Sequence, residues 1–463
     1  MLRLATLAVT GALVFITTGI LSGGEIFPDS DDSIAAMYRA DADKLIDAAL
    51  ADSSTYDRLA YLGDTFGARF SGSQNLEDAI DWILDEMRKD GLENVRGEEV
   101  MVPHWVRGEE SLSLVSPRGG KMAILGLGGS IGTEPEGITA EVLVVSSFDD
   151  LADRGSEAEG KIVLFNVPFT TYGRTVQYRV TGANRASEAG AVASLVRSVG
   201  PASMYTPHTG VMRYEEGVRQ IPHAAVTLED AMMMQRMQDR GQKIVVTLKM
   251  GAETFPDVVS RNVVAEIVGS EFPEEVVVFG GHIDSWDVGQ GVMDDAGGCV
   301  AAWQALVLMK RLGLRPKRTI RVVMWTNEEN GLRGGTGYAE RHADQVANHV
   351  LAMESDAGVF KPQGFGFTGS DSAFEIVTEI GTLLDRIESG TITRGDGGAD
   401  IGPLMQQGVP GMGLRVDGTE YFWYHHTEAD TMDKLDPHEI NLCVATMAVM
   451  AYVAADLDER IPR

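Results

Sequence analysis

Residues 276–286, which read VVVFGGHIDSW, decide the fold of this chain. Four consecutive apolar residues without polar alternation are typical of a strand that is buried on both faces, as in the central sheet of an α/β domain. His282 and Asp284 follow at the predicted carboxyl end of that strand. Since ligands of open α/β sheets bind beyond the carboxyl ends of the strands, this segment predicts both the sheet and the edge that carries a site.

The same pattern extends along the rest of the C-terminal half and into the N-terminal region. After Gly251, apolar runs alternate with segments of helical periodicity. Predicted strands cover residues 263–267, 276–279, 319–325, 350–353 and 411–414. Predicted helices cover residues 33–52, 75–90, 296–312, 372–384 and 437–457. We therefore expect an α/β fold with a mixed central sheet flanked by helices.

Residues 111–249 have a different texture, with short β-rich runs between glycines and one amphipathic stretch at 179–189. This pattern predicts a β-rich domain inserted into the α/β domain. We expect four regions: an N-terminal signal or anchor at 1–24, a first part of the α/β domain at 25–118, the insert at 119–249 and the main α/β part at 250–463.

Composition limits the classes of function. The chain has 463 residues, with 39 Lys and Arg against 68 Asp and Glu, which gives a formal net charge of -29. Such a surface repels nucleic acids and anionic membranes, so a nucleic-acid partner is excluded. The two cysteines, Cys299 and Cys443, are too few for a cysteine-rich zinc module.

The N-terminus indicates export. Residues 4–21 carry no charge, follow Arg3 and precede the small residues Ser22-Gly23-Gly24. This pattern predicts a secretory signal cleaved after Gly24, which would release the protein to the periplasm or the medium. An uncleaved membrane anchor is the alternative, because 18 residues just reach the length that spans a bilayer.

Five polar motifs concentrate the residues that can carry chemistry, and four of them directly follow apolar runs. Taken singly, each has an ordinary explanation, such as a hydrogen-bonded His–Asp pair, a helix cap or solvated glutamates. Together they supply the imidazoles and carboxylates that suit two zinc ions sharing a bridging carboxylate, although cobalt or manganese would fit the same ligands. The motifs are HIDSW at 282–286, GVMDDAGG at 291–298, WTNEENG at 325–331, MESDAG at 353–358 and YHHTEAD at 424–430.

These segments resemble the M28 family of metallopeptidases and, within it, the carboxypeptidase Q branch. The likeness is carried by HIDSWDVGQGVMDDAGG at 282–298, RPKRTIRVVMWTNEE at 315–329, MESDAG at 353–358, VPG at 409–411 and HH at 425–426. The insert resembles a protease-associated domain, with GKIVL at 160–164 as one typical strand.

The resemblance implies a set of site residues. The implied zinc ligands are His282 and Asp356 on one ion, Glu329 and His426 on the other, and Asp294 as the bridge. Glu328 is implied as the general base, and Asp284 as the residue that orients His282. His425 is the alternative to His426, which is preferred because the family has a His-(Thr/Ser) pattern. The peptide bond after Asp294 is expected to be cis.

The resemblance also implies a function. It indicates an exported di-zinc exopeptidase that hydrolyses small peptides, in particular dipeptides with free termini, in aminopeptidase, carboxypeptidase or dipeptidase mode. Two alternatives stay open: a mono-zinc acyltransferase similar to glutaminyl cyclase, and a binding ectodomain of the same fold without catalysis. Asp400, Arg415 and Tyr424 are weaker candidates for pocket residues, and a homodimer is left open.

Overall fold

The computed structural model of this chain describes residues 33–463. The predicted signal or anchor segment at residues 1–24 lies outside the described residues.

Helices cover both faces of the sheets, and the longest begin at well-formed caps. Ser33 and Ser73 cap the first and third helices by accepting hydrogen bonds from Ala36 and Leu76, and Asp436 caps the last helix, which has Pro437 in its first turn. The α-helices are α1 (Ile34–Leu50), α2 (Ser54–Phe66), α3 (Gln74–Lys89), α4 (Phe148–Asp153), α5 (Tyr172–Thr175), α6 (Gln177–Val180), α7 (Gly182–Glu188), α8 (Leu228–Asp239), α9 (Gly297–Arg311), α10 (Arg333–Arg341), α11 (Asp371–Gly381), α12 (Gly402–Met405), α13 (Tyr421–Tyr424) and α14 (Pro437–Asp456). Short 3₁₀ or π-helical turns lie at Gly155–Glu157, Val292–Ala296, Ala343–Asn348, Thr382–Ile387 and Met432–Lys434. The five helices predicted from the sequence are present as α1, α3, α9, α11 and α14.

The strands form two eight-stranded sheets. The strands are β1 (Glu93–Val106), β2 (Glu110–Ser116), β3 (Gly120–Met122), β4 (Ile124–Gly126), β5 (Ile138–Val145), β6 (Ile162–Phe165), β7 (Ala193–Arg197), β8 (His223–Val226), β9 (Val245–Met250), β10 (Glu253–Ile267), β11 (Phe272–His282), β12 (Arg318–Trp325), β13 (His349–Glu354), β14 (Pro362–Thr368), β15 (Thr391–Arg394) and β16 (Gly411–Val416). The five strands predicted in the C-terminal half correspond to β10, β11, β12, β13 and β16.

The first sheet has the order β1-β10-β12-β11-β13-β16-β14-β15. Its four central strands, β12, β11, β13 and β16, run parallel, with Phe279 of β11 opposite both Val322 of β12 and Met353 of β13. Antiparallel strands flank this block, because β10 pairs antiparallel with β12 and β14 pairs antiparallel with β16. The mixed α/β sheet predicted from the sequence is confirmed.

Both faces of the first sheet are buried, as unbroken apolar strands require. Alternate residues of β11 point to opposite sides: Val277 and Phe279 pack with α1, α2, α3, α9 and α14, whereas Val276 and Val278 pack with α10 and α12. Helix α14 is long and apolar enough to cross a membrane by length and composition, but 89% of its most apolar window is buried within the protein. We therefore assign it to the core.

Residues 110–250 contribute the second sheet, in the order β3-β2-β9-β5-β6-β7-β8-β4. The apolar run at residues 122–125 predicts one strand. In the structure, Met122 ends β3, Ile124 begins β4, and Ala123 separates the two strands. Since β3 and β4 occupy opposite ends of the sheet order yet adjoin in the chain, the sheet curls until its two edges approach each other. The β-rich texture is thus borne out as a sheet; its identity as a protease-associated domain and the boundaries at 119–249 stay predictions.

Candidate metal centre

The four parallel strands of the first sheet bring the polar motifs to one edge. His282 is the last residue of β11, Glu328 and Glu329 follow β12, and Asp356 follows β13. His426 lies beyond β16 and the short helix α13. Because the strands run parallel, their carboxyl ends lie side by side, and side chains separated by up to 144 positions meet there.

The Asp294 carboxylate lies at the centre of the cluster, between two histidines. Its Oδ1 is 3.2 Å from His282 Nε2, and its Oδ2 is 3.5 Å from His426 Nε2. His282 Nε2 is also 3.3 Å from Asp356 Oδ1, and His426 Nε2 is 3.0 Å from Glu329 Oε2. The structure therefore brings together all five residues that the sequence nominates as ligands, with one imidazole and one further carboxylate on each side of Asp294.

These separations fit a metal centre. Two ligand atoms about 2.0–2.2 Å from a tetrahedral zinc ion lie roughly 3.4 Å apart, close to the four separations just described. Asp294 Oδ2 is buried and has no hydrogen-bond partner among the described residues, which leaves one of its oxygens available to a cation. Imidazole and carboxylate donors are the ligands that zinc accepts. The donor set thus fits two ions that share the Asp294 carboxylate.

The electrostatics of the cluster point the same way. Burial raises the pKa of Glu328 to about 8, and burial raises the pKa of both Glu329 and Asp356 above their usual range. Burial would also raise the pKa of Asp294, but its hydrogen bond with His282 and the nearby His425 bring that pKa below its usual range. Because burial disfavours the ionised form of these carboxylates, bound cations would stabilise that form.

Glu328 and Glu329 are adjacent in sequence but differ in position. Both line the pocket in front of the cluster, but Glu329 is buried in contact with His426, whereas Glu328 is partly exposed. The Asp284 carboxylate accepts hydrogen bonds from the main-chain N–H groups of both glutamates, at 3.0 and 3.3 Å. Asp284, whose carboxylate was expected to orient His282, therefore holds the main chain of Glu328 and Glu329 in place.

The His282 ring is held by a main-chain group instead. Its Nδ1 donates to the carbonyl oxygen of Asp284 at 2.9 Å, whereas the Asp284 carboxylate is 3.8 Å away. A donating Nδ1 leaves Nε2 with a free lone pair directed at Asp294 and Asp356, which is the tautomer that metal ligation requires.

Both histidines of the YHHTEAD motif lie at the centre. Their rings stack with centroids 3.5 Å apart, and His425 Nε2 is 3.7 Å from Asp294 Oδ2. His426 makes the closer contacts, and its Nδ1 lies 3.2 Å from the carbonyl oxygen of Thr209 and 3.4 Å from Nη1 of Arg179. This geometry favours His426 over His425.

The segment that carries Asp294 is held by residues that sequence reasoning did not assign. The Asp430 carboxylate accepts hydrogen bonds from the main-chain N–H groups of three consecutive residues, Val292, Met293 and Asp294, at 3.1, 2.8 and 3.1 Å. The peptide bond after Asp294 is cis, as the resemblance implies. Asp430 is the last residue of the YHHTEAD motif, so its closeness in sequence to the two histidines is the only indication in the sequence that it lies near the site.

Two further groups fix the surroundings of His282. The Asp295 carboxylate accepts from the main-chain N–H of His282 at 3.1 Å, and a side chain at Gly281 would collide with it. The buried Arg69 donates to the main-chain carbonyl oxygens of Ile283, Gln290 and Gly291 at 2.9, 2.7 and 2.7 Å. Arg69 therefore fastens both ends of the loop between His282 and Asp294, and no motif in the sequence marks it.

The second sheet region also reaches the centre. The main-chain N–H of Thr209 donates a hydrogen bond to the carbonyl oxygen of His426 at 2.9 Å, and the Thr209 carbonyl oxygen contacts the His426 ring. Arg179 and Arg213 line the same pocket as Asp294 and Glu328. The pocket has a volume of about 390 Å³. The described lining residues of this pocket do not include Asp400, Arg415 or Tyr424, so the expectation that they contact substrate is not supported. Asp400 is buried, and Arg415 donates a hydrogen bond to the Thr393 hydroxyl at the surface.

Comparison with known proteins identifies related chains. The profile described as peptidase family M28 matches residues 262–451. Carboxypeptidase Q of Mus musculus is 54% identical over 409 residues, which cover 88% of this chain and 87% of that protein. Carboxypeptidase Q of Homo sapiens is 54% identical over 413 residues, which cover 89% of this chain and 88% of that protein.

Solved structures agree with the fold. The peptidase M28 precursor from Shewanella amazonensis superposes with a TM-score of 0.89 at 34% identity, covering 94% of this chain and 99% of that one. The zinc aminopeptidase BSAP from Bacillus subtilis superposes with a TM-score of 0.66 at 20% identity, covering 88% of this chain and 98% of that one, which supports the fold alone.

Replacement of Asp430 tests the support of the Asp294 segment. Asp430→Asn keeps the size of the side chain but replaces an accepting oxygen with an amide donor that faces main-chain N–H groups. Leaving buried donors unpaired costs about 1–3 kcal/mol, so the free energy of unfolding in urea should fall by that amount. Asp433→Asn is the matched control, because its side chain is 73% exposed. Equal stability of the two variants would contradict the assigned role of Asp430.

Proposed function

This chain belongs to peptidase family M28 and is a carboxypeptidase Q-like metallopeptidase, and on that premise we propose that it is a di-zinc exopeptidase that hydrolyses small peptides, in particular dipeptides with free termini. The observation that carries the proposal is the pair of imidazole–carboxylate sets on the two sides of Asp294. A pocket lined by Asp294, Glu328 and Glu329 opens at that cluster.

The ligand assignment follows from the contacts. His282 and Asp356 would hold one zinc ion, Glu329 and His426 the other, and Asp294 would contribute one oxygen to each. When bound, such ions supply Lewis acidity that polarises a peptide carbonyl and lowers the pKa of a water molecule. The hydrogen bond from His282 Nδ1 to the main-chain carbonyl of Asp284 keeps Nε2 free for an ion.

Glu328 is the group that the proposal assigns to proton transfer. Its carboxylate lines the pocket beside Asp294 and Asp356, and its main chain is held by Asp284. A carboxylate in this position can take the proton from the attacking water and return it to the nitrogen of the departing amine. Glu329 cannot serve in the same way, because its carboxylate is engaged with His426.

The shape of the pocket supports a small substrate. Its volume of about 390 Å³ falls near the lower end of the range for pockets that enclose small ligands. The second sheet region contributes Tyr172, Arg179 and Val211 to its wall, so both regions of the chain bound the pocket. A small pocket bounded in this way favours short peptides over a long chain running through the site.

The two alternative functions fit the geometry less well. A mono-zinc acyltransferase would need only one imidazole–carboxylate set, whereas the contacts provide a set on each side of Asp294. A binding ectodomain without catalysis would have no use for Glu328 at the pocket wall beside a complete set of donors. Both considerations support a catalytic centre with two ions.

We also propose that the protein is exported, on the strength of the uncharged stretch at residues 4–21. N-terminal sequencing of the protein recovered from its native cells should find a mature chain beginning at Glu25. An intact N-terminus in the membrane fraction would favour the anchor instead, and an intact N-terminus in the cytoplasm would contradict export.

Replacement of the two adjacent glutamates tests the mechanism. Glu328→Gln keeps the shape of the side chain and all five proposed ligands, so zinc content should survive while kcat for a dipeptide falls by at least about 100-fold, the lower end of the range for general acid–base catalysis. Glu329→Gln should lose both zinc and activity, because a ligand charge is removed. Metal analysis and steady-state kinetics on a panel of dipeptides measure both effects.

The contrast between the two variants gives clear contrary outcomes. Loss of zinc in Glu328→Gln with retention in Glu329→Gln would reverse the two roles. Nearly full dipeptidase activity in a zinc-loaded Glu328→Gln variant would show that another residue transfers the proton.

A further inference from the structure

His426 occupies a backbone conformation that a residue with a side chain rarely adopts. Its φ is 61°, and it is the third residue of the turn Tyr424–Thr427, in which the Thr427 N–H donates to the carbonyl oxygen of Tyr424 at 3.0 Å. His425, the second residue of the turn, has φ -47° and ψ 122°. These angles are close to those of a type II turn, whose third position normally carries glycine or asparagine. The proposed metal ligand therefore lies where its own backbone is disfavoured.

Another form of the same turn would relieve this conformation. A type I turn has a negative φ at its third position, and it differs from type II mainly by rotation of the peptide group between the two central residues. In this chain that peptide group carries the carbonyl oxygen of His425. Because the rotation reverses the sign of φ at His426, it also redirects the imidazole. The orientation of the His425 carbonyl therefore decides whether His426 Nε2 faces Glu329 and Asp294, as it does in the structure.

The second sheet region holds this carbonyl through His208. The His208 side chain is buried, and its Nδ1 lies 2.9 Å from the carbonyl oxygen of His425. Its Nε2 lies 3.1 Å from the carbonyl oxygen of Ala202. Burial lowers the pKa of His208 to about 4, so the ring is neutral at neutral pH and donates from one nitrogen only. We assign that proton to Nδ1, which makes the shorter contact.

His208 and Thr209 together bind two consecutive carbonyl groups of the turn. The main-chain N–H of Thr209 donates to the carbonyl oxygen of His426 at 2.9 Å, next to the bond between His208 and His425. A Cβ atom at Gly200 would lie 2.6 Å from Cε1 of His208, so this close packing of the ring requires glycine there. A strained conformation persists only where its surroundings hold it, and these two hydrogen bonds supply that support.

We propose that His208 is a positioning residue of the metal centre: its hydrogen bond to the His425 carbonyl keeps the turn in the type II form and so keeps His426 directed at its ion. This inference rests on the proposed assignment of His426 and Glu329 as ligands of one zinc ion. His208 lies outside the described lining of the pocket and acts through the main chain of the residue beside the ligand. Loss of a hydrogen-bond partner that orients a metal ligand typically lowers metal affinity by about 10- to 100-fold.

Two amide variants distinguish the two ring nitrogens. The amide nitrogen of asparagine reaches about as far from the main chain as Nδ1 of histidine, and that of glutamine about as far as Nε2. We expect His208→Asn to keep the donor to the His425 carbonyl and to bind two zinc ions with wild-type affinity. His208→Gln should lose that donor, so the ion beside His426 and Glu329 should bind about 10- to 100-fold more weakly while the other ion stays bound.

Competition with a zinc chelator measures both affinities, and anomalous diffraction at the zinc edge from crystals of His208→Gln at limiting zinc identifies the missing ion. A general loss of packing would weaken both ions, whereas loss of the positioning bond weakens only one. His223→Gln is the matched control, because His223 is also a buried histidine of the second sheet region, with its Nε2 3.3 Å from the carbonyl oxygen of Tyr178. This control should keep both ions at wild-type affinity.

The outcomes separate this inference from the proposal on which it rests. A wild-type protein that binds fewer than two zinc ions would contradict the proposed metal centre itself. If the wild type binds two ions, any of three results would overturn the role of His208. These are wild-type affinity for both ions in His208→Gln, an equal loss of both ions in His208→Gln, and a loss in His208→Asn as large as that in His208→Gln.

Discussion

The position of one carboxylate, that of Asp294, is the constraint on which the rest of this structure depends. Each of its oxygens faces a different histidine, at 3.2 and 3.5 Å, so small displacements would remove one contact or the other. The surrounding protein accordingly holds this segment by its main chain: Asp430 receives three consecutive N–H groups, and Arg69 binds the carbonyls of the loop that leads to it. These contacts fix the backbone and leave the Asp294 side chain free to bind cations.

The two sheets divide the chemistry between them. The first sheet presents carboxylates and imidazoles from the ends of its parallel strands, which a buried, doubly covered sheet positions rigidly. The second sheet region contributes cations and a main-chain carbonyl: Thr209 contacts the His426 ring, and Arg179 and Arg213 face the acidic wall. In our account, the first sheet carries the proposed metal ligands and the second sheet region completes the wall of the pocket. A change in the packing between the regions would then affect the orientation of His426 as well as substrate binding.

The features of this structure that can be predicted from the sequence are those that depend on local sequence patterns. The parallel strands are predictable, because apolar runs signal buried strands, and the five donors follow from the resemblance of their motifs to the M28 family. The long edge strand β1 is not, since one of its buried positions is the charged Glu98 and it contains Pro103, and β14 is interrupted by glycines. Arg69 acts only on main-chain carbonyls, which leave no side-chain pattern, and Thr209 and Arg213 reach His426 and the pocket through contacts between segments some 200 residues apart.

Anomalous diffraction at the zinc edge from crystals of the zinc-loaded protein tests the central claim most directly. The account predicts two peaks about 3.5–4 Å apart, on opposite sides of the Asp294 carboxylate. One peak should lie beside His282 and Asp356, and the other beside His426 and Glu329. A single peak at full zinc occupancy, or a peak bound by His425 in place of His426, would contradict the proposed centre.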